Sequence, residues 1–349
     1  MSGPIQFTCP LPPAAKDRIV LGHGSGGKLS ADLLRDVFLP FFPSPILHRL
    51  EDQAVFEIGG ARLAFTTDSF VVKPLFFRGG DIGSLAVHGT VNDLAMGGAT
   101  PLYLSAGFIL EEGLEIEVLR RVAESMGRAA GAIPIEIVTG DTKVVEKGSG
   151  DGLFVNTSGI GLVPEGVRLS PSLVRPGDSI LLSGPIGDHG IAILAEREGI
   201  RFSTELASDC APLHGLAAGM LAASRDIHAM RDPTRGGVSS ALNEIASRAG
   251  VGMIIEESAI PVRDEVRGAC ELLGLDPLYV ANEGKLIAFV APQAADAVLA
   301  AMRRHELGTG AARIGVVTEA PAGLVLLRTP FGTTRIVDML PGDQLPRIC

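Results

Sequence analysis

Positive charge is scarce in this chain of 349 residues: 40 acidic side chains outnumber 30 basic ones, a formal charge of −10. With no basic field to displace counterions, a nucleic-acid backbone is excluded as the main partner. A protein rich in carboxylate metal ligands would carry such a balance. Paired cysteines are also missing. Cys9, Cys210, Cys270 and Cys349 form no CxxC, so neither a structural zinc site nor a disulfide framework is expected. No run of about 18 apolar residues could span a bilayer, and the opening "MSGPIQFTCPLPP" lacks the apolar stretch of a signal peptide. The expected location is the cytoplasm, where thiols stay reduced. Cys349 is the last residue, whereas prenylation needs a cysteine fourth from the end.

Hydrophobic residues make up 46% of the chain and charged ones 20%, enough for sizeable cores in about two domains. The 44 glycines are well above the usual share of about 7% and predict tight turns and backbone-lined binding loops. Residues 1–27 read as a Gly/Pro-rich arm. "KLSADLLRDVFLPFF" reads as an amphipathic helix stopped by Pro40 and Pro43. Strands are expected at "AVFEI", "ARLAFTT", "FVVKPLFF", "PLYLSAGFIL", "IEIVTGD" and "LFVNTSGIGLV", and helices over "DIGSLAVHGTVNDLAMGGA" and "EIEVLRRVAESMGRAAGA". The aperiodic "PEGVRLSPSLVRPGD" marks a boundary. Beyond it lie strands "SILLSG", "GMIIEE", "KLIAFVA", "ARIGVVTEA" and "GLVLLRT". Helices there are "GIAILAERE", "APLHGLAAGMLAAS", "GVSSALNEIASRAG", "VRDEVRGACELLG" and "QAADAVLAAMRRH". Cys270 falls on the apolar stripe of its helix and is expected in the core. Two halves of interleaved strands and helices give two α/β or α+β domains: 28–163, 164–337, then a tail over 338–349.

"GHGSGG" at Gly22 to Gly27 spells GxGxxG, with Glu51 and Asp52 at the distance of a ribose-binding acid. The βαβ unit such binding needs is missing, because the following helix runs into "LPFFPSP". The stretch also approaches a P-loop, but Leu29 stands where Ser or Thr must hold magnesium. Two readings survive: a run of N–H groups before Lys28 and a helix N-terminus, suited to an anion, or a leader with a helix cap.

Four pieces place carboxylates among small residues at element ends: "TTDS" (Asp68), "TVNDLAMGGA" (Asn92, Asp93), "VTGDTKVV" (Asp141, Lys143) and "DPTRGG" (Asp232, Thr234). Each alone reads as a turn or cap residue. Together, with Asp68 and Asp141 closing β runs where α/β folds place ligands, they suit Mg²⁺ held with phosphates. His88 and Asn92 share a helix face at i, i+4; His88 is either a hydrogen-bonded core histidine or a functional group. "GDHG" reads as a helix start capped by Asp188. Glu283, in "ANEGKL", is either a solvated turn or an acid/base group.

In their order, "TTDSFVVKPLFFRGGDIG", "GTVNDLAMGGATPLYLSAGFILEEG", "IVTGDTKVV", "GDHG", "RDPTRGGV", "VRGACELLGLDPLYVANEGKL" and the terminal "PRIC" resemble the HypE family of hydrogenase maturation proteins. That family lies within the PurM-like, AIR synthase-related superfamily of ATP-using synthetases. "NDL", "GDTK" and "DxTRGG" are shared across the superfamily; "ANEGK" with "PRIC" is the pattern of the HypE branch. The resemblance spans residues 17–349 and implies a two-domain PurM-like α/β (α+β) fold with mixed sheets, an N-terminal ATP-binding and dimerisation domain and a flexible tail.

It further implies that Cys349 receives a carbamoyl group from the carbamoyltransferase HypF. ATP would drive its dehydration to a thiocyanate, and the cyanide would pass to iron on a HypC–HypD complex. A thiol that visits donor, nucleotide and acceptor belongs on a tether; twelve residues from Asp338 reach about 40 Å at full extension, with Pro341, Gly342 and Pro346 keeping it extended. Carried over by motif, Asp68, Asp93 and Asp141 would bind the metal. Gly24, Gly26, Gly27 and Lys28 would close over the nucleotide, with Asn92 and Thr142 beside it. Lys143 would neutralise phosphate charge or orient the tail, and Glu283, with His88 in reserve, would take the proton. A homodimer is implied. Two rivals stand against this. Another PurM-like synthetase, of selenophosphate or ribonucleotide type, would keep its turnover without Cys349. A non-catalytic nucleotide-binding scaffold would show no turnover at all.

Overall fold

The computed structural model describes residues 18–200, 206–340, 342, 345 and 347–349; Cys9, most of the expected arm, Pro341 and Pro346 lie outside them. Among the described residues there are fourteen strands and eight α-helices. The first half holds α1 (Lys28–Leu33), β1 (Ala54–Ile58), β2 (Ala61–Phe70), β3 (Phe76–Phe77), β4 (Gly80–Asp81), α2 (Ile82–Met96), β5 (Thr100–Glu111), α3 (Ile116–Gly131), β6 (Glu136–Val145) and β7 (Leu153–Leu162). The second holds β8 (Ser179–Leu182), α4 (Asp188–Glu198), α5 (His214–Ala223), β9 (Ile227–Arg231), α6 (Gly237–Ala249), β10 (Gly252–Glu256) and α7 (Asp264–Leu273). It ends with β11 (Ile287–Val290), α8 (Ala295–Arg304), β12 (Ala312–Thr318), β13 (Val325–Arg328) and β14 (Thr334–Val337).

Two mixed sheets organise these elements, one in the order β1-β2-β7-β5-β6 and one in the order β14-β13-β10-β12-β8-β11-β9. Helix α2 starts because Asp81 caps it, its carboxylate accepting from the N–H groups of Gly83 and Ser84 at 2.8 and 3.0 Å. It is buried along most of its length and packs on β2, β7 and α3. Strand alternation then divides the first sheet into two faces. The row Asp68–Thr157–Ala106–Gly140 faces the helices, where Thr157 donates to the Ala86 carbonyl. The row Ser69–Asn156–Gly107–Asp141 faces away. That outer face carries exposed Phe65, Ile160, Tyr103 and Ile109.

Two hydrophobic cores join the halves. One packs Leu94 and Met96 against Leu213, Met220 and Leu286; the other packs Phe70, Val72 and Leu85 against Ile193, Ala281, Ile348 and Cys349. Cys270 is buried, as its stripe predicts.

Three expectations need correction. "FVVKPLFF" is no continuous strand: β2 ends at Phe70 and only Phe76–Phe77 pairs again, across Pro74, which has no N–H for a ladder. The helix expected through "FLPFF" is α-helical only to Leu33, then widens into a π turn and tightens into a 3₁₀ turn before Pro43. Strands β9 and β14 were missed, because "IHAMR" and "TRIV" break the apolar pattern with His and Arg. No helix among the described residues is long and apolar enough to cross a membrane.

Candidate active site

The site forms where the glycine-rich segment, the "DPTRGG" loop and the end of the tail meet. Gly26 and Gly236 both have left-handed backbones, with φ of 74° and 76°, and they lie close together. A Cβ on Gly26 would sit 2.7 Å from the Arg235 carbonyl oxygen, and one on Gly27 would strike the Leu340 carbonyl. Glycine is therefore demanded by close backbone approach. Arg235 donates to the Gly24 carbonyl at 3.3 Å, and the Lys28 N–H donates to Leu340 at 2.9 Å. The expected anion loop is thus stitched to both neighbours, with the Gly26 N–H also engaged, by Ser30 Oγ at 2.9 Å.

Two clefts flank this segment. One is lined by Gly24, Ser25, Arg235, Ala281, Arg347 and Cys349. The other is larger and is lined by Gly26, Gly27, Ser30, Asp52, Thr66 and Arg231, among others.

In and beside the larger cleft, Asp52, Asp93 and Asp232 each offer a carboxylate oxygen within 4.8 Å of the others. Asp93 accepts from Thr66 Oγ1 at 2.7 Å, and Asp52 pairs with Arg231 at 2.6 Å. Burial raises all three, to about 7 for Asp52 and about 6 for Asp232. Asp93 is pushed well above the carboxylate range by burial and then by the charges of Asp232, Asp52 and Asp68. Asp68, on the helix-facing side of β2, is raised by burial against the pull of Arg235. Sequence reasoning placed Asp68 and Asp93 here and counted Asp232 in the acidic constellation, though as a turn when taken alone and not among the metal ligands; it weighed Asp52 only as a ribose ligand and gave Arg231 and Arg235 no role.

Glu283 is no solvated turn. It is buried, its N–H donates to Asp209 at 3.0 Å, and its Oε1 has no hydrogen-bond partner. Burial and then the charges of Asp232, Asp68 and Asp209 raise it well above the usual range. Asp209 also pairs with Lys285 at 3.0 Å.

Asn92 lines neither cleft. Its amide donates to the carbonyls of Ala211 and Glu283 and accepts from the Leu213 N–H at 2.7 Å, fastening α2 to the second half. His88, one turn earlier on the same face, contacts Cys210 Sγ at 3.5 Å. Burial lowers it to about 4, so it is a neutral core histidine. Asp188 is not the helix cap, since Gly187 occupies that position; it pairs with Arg263 at 3.0 Å. Asp141, Thr142 and Lys143 do not join the cluster within the chain. Asp141 sits on the opposite face of the sheet from Asp68, exposed, and pairs with Lys143 at 2.7 Å. Neither aspartate closes its strand as expected, since β2 runs on to Phe70 and β6 to Val145, and their parity in the sheet differs.

The tail ends inside the protein. Val71 N–H donates to the Cys349 carbonyl at 2.9 Å and Lys73 N–H to that of Arg347 at 3.2 Å. Arg347 pairs with Asp151, and the Ile348 and Cys349 side chains are buried. Burial pushes the Cys349 thiol up to about 12; Arg235 opposes this, while Glu283, Asp68 and Asp232 reinforce it.

These sheets and this carboxylate-lined cleft between two halves define an AIR synthase-related protein. The family's N-terminal domain model matches residues 50–163 and its C-terminal domain model residues 175–326. Within that class the chain belongs to the HypE family. It is 55% identical to the carbamoyl dehydratase HypE of Cupriavidus necator over the full length of both chains. A solved HypE–HypF complex aligns with TM-score 0.84 and 48% identity, covering 88% of this chain and 99% of that one. HypE in complex with ATP aligns with TM-score 0.80 and 50% identity, covering 95% and 100%.

Proposed function

We propose that this chain, an ATP-dependent carbamoyl dehydratase, converts an S-carbamoyl group on Cys349 to a thiocyanate and donates the cyanide for the iron of [NiFe]-hydrogenase. The observation that carries this reading is the buried Cys349 at the end of a docked tail, in a cleft shared with Arg235 and under the field of Glu283, Asp68 and Asp232.

The carbamoyl oxygen attacks the γ-phosphorus of ATP; a C–O–P link forms as the bond to ADP breaks. One N–H proton leaves to water once the oxygen is phosphorylated, giving a C=N–H group; removal of the second N–H proton then expels phosphate and leaves S–C≡N. Glu283 Oε1, buried and unpartnered, is the acceptor for that proton. Burial first, and then the carboxylates around it, disfavour its ionised form, so it becomes a better base when their charge is balanced. Arg235 supplies fixed positive charge near the sulfur and opposes the upward push of burial on the thiol. The crowded carboxylates fit a hard divalent cation, since their mutual repulsion is what such an ion relieves. Asp52, Asp93 and Asp232 would hold magnesium, with Asp68 beside them, and it would neutralise charge on the phosphates.

The outer sheet face, apolar at Phe65, Ile160 and Tyr103, is the surface for a second copy. In that homodimer Asp141, Thr142 and Lys143, which point away from their own chain's cluster, serve the site of the other. HypF, as carbamoyl donor, and HypC–HypD, as cyanide acceptor, are the expected partners, working in the cytoplasm.

The test is mass spectrometry of the C-terminal peptide after incubation with HypF, carbamoyl phosphate and ATP. The expected product is the carbamoyl adduct less one water; Cys349→Ala should form neither species while still binding ATP. A carbamoyl adduct that persists unchanged with ATP would overturn the dehydratase reading.

A further inference from the structure

The "GDHG" motif has a role that none of the nucleotide-binding motifs covers: its last two residues, His189 and Gly190, lie against the end of the tail. His189 is fully buried at the start of α4. Its Nε2 lies 2.8 Å from the Ile348 carbonyl oxygen, and its Nδ1 lies 2.8 Å from Ser208 Oγ. Ser208 Oγ accepts from the Cys210 N–H at 3.0 Å. A carbonyl can only accept, so the Nε2 contact requires the proton on Nε2. Nδ1 is then an acceptor, and the Ser208 hydroxyl donates to it. The hydrogen bonds therefore have one polarity, from Cys210 N–H through Ser208 and His189 to the penultimate carbonyl. Burial lowers the pKa of His189, in keeping with a neutral ring, and Phe77 meets it edge-on at 5.7 Å between centroids.

The neighbours of His189 complete the grip. The Gly190 N–H donates to Ala281 at 3.1 Å, and a Cβ there would collide with Val280 and come 3.3 Å from Ile348 Cδ1. Arg197, two turns along α4, donates to the Arg347 carbonyl at 2.8 Å. Each of the last three residues thus has its carbonyl bound, and the Ile348 side chain fills a socket beside Gly190.

Resting on the dehydratase reading above, we propose that His189, in the Nε2–H tautomer that the Ile348 carbonyl requires and the Ser208 hydroxyl supports, is the positioning residue that fixes the Cys349-borne group for dehydration. It touches neither nucleotide nor the reacting carbon; it acts through the carbonyl one residue before them. A docked sulfur anchored from one side only would swing about the bond that carries its cargo, and misplacement by about an ångström is costly in such reactions.

The experiment uses full-length chain carbamoylated at Cys349, followed through a single turnover after ATP is added, for wild type, His189→Ala, His189→Gln and Ser208→Ala. Loss of one buried hydrogen bond should slow dehydration about tenfold in His189→Ala. His189→Gln, whose amide offers an N–H at the Nε2 position, should retain most of the rate. Ser208→Ala, free to adopt the other tautomer, should fall between them. ATP binding should be unchanged throughout, and iodoacetamide should label unmodified Cys349 faster in His189→Ala than in wild type. A His189→Ala rate equal to wild type would overturn the proposal, as would a Gln variant as slow as Ala. If His189→Ala fails to fold, Ser208→Ala decides: wild-type dehydration and wild-type labelling would overturn it. Wild-type chain that yields no thiocyanate would refute the dehydratase reading instead.

Discussion

At the scale of single residues, the site is a set of charges held where none is comfortable. Glu283 illustrates the consequence. A carboxyl whose ionisation is disfavoured by burial and then by its neighbours' charge becomes a better base as that charge is cancelled, and cancellation comes with the substrate complex rather than before it. This couples proton removal to the presence of nucleotide and cation. Glu283→Gln retains size and a hydrogen-bonding tip but cannot take a proton. It should bind ATP normally and fold with little change in stability, because burial and the neighbouring charges already disfavour the ionised carboxylate in the wild type. Thiocyanate formation measured by single turnover should fall by about 10²–10⁴. A variant still within a few-fold of wild type would assign the base elsewhere.

At the scale of elements, the parity of β2 and β6 separates what the motifs seemed to unite. "TTDS" and "VTGDTK" both read as a strand ending in an aspartate, yet Asp68 faces the helices and Asp141 faces away. If a second copy covers the outer face, each site contains Cys349 of one chain and Asp141 of the other. Mixing two inactive variants then tests the arrangement. Cys349→Ala and Asp141→Asn, refolded together at equal amounts, should recover about a quarter of wild-type turnover, because half of the dimers are mixed and each holds one complete site. No recovery would place Asp141 outside the reaction. Ile160→Glu, in the middle of the apolar row, should sediment as a monomer and lose turnover. Its own fold should change little, since Ile160 is already 39% exposed.

Elements were legible where periodicity was long: α2, α3, β5 and β7 follow their apolar spacing. The tail's resting place was not, because it depends on two isolated N–H groups at Val71 and Lys73, left unpaired where Pro74 interrupts the strand. Nor was the role of Asp52, whose partners come from elements some 180 residues away in "IHAMRD".

At the scale of the whole molecule, the carboxylate cluster spans both halves: Asp52 and Asp93 come from the first, Asp232 from the second. A cation bound among them should therefore stabilise the complete fold. The pH dependence follows from the shifts. Asp52 at about 7 and Asp232 at about 6 lie above the unfolded value of about 3.9, and Asp93 is raised as well. The folded protein thus holds protons that the unfolded chain releases. That contribution is fully present below about pH 4 and is lost as pH rises through 6 and 7. His88 and His189, neutral when folded, act in the opposite direction as pH falls below about 6.5, so the raw stability curve mixes both. The difference with and without magnesium isolates the cluster. At pH 5 protons compete for the same oxygens; at pH 8 the oxygens are ionised and repel one another. Magnesium at about 100 times its dissociation constant should add about 2.7 kcal/mol at pH 8 and far less at pH 5, read as a shift in melting temperature. Asp93→Asn, which can still accept from Thr66, should melt higher than wild type at pH 8 without magnesium and lose most of the magnesium shift. An equal shift at both pH values, or one retained by Asp93→Asn, would remove the ion from this cluster.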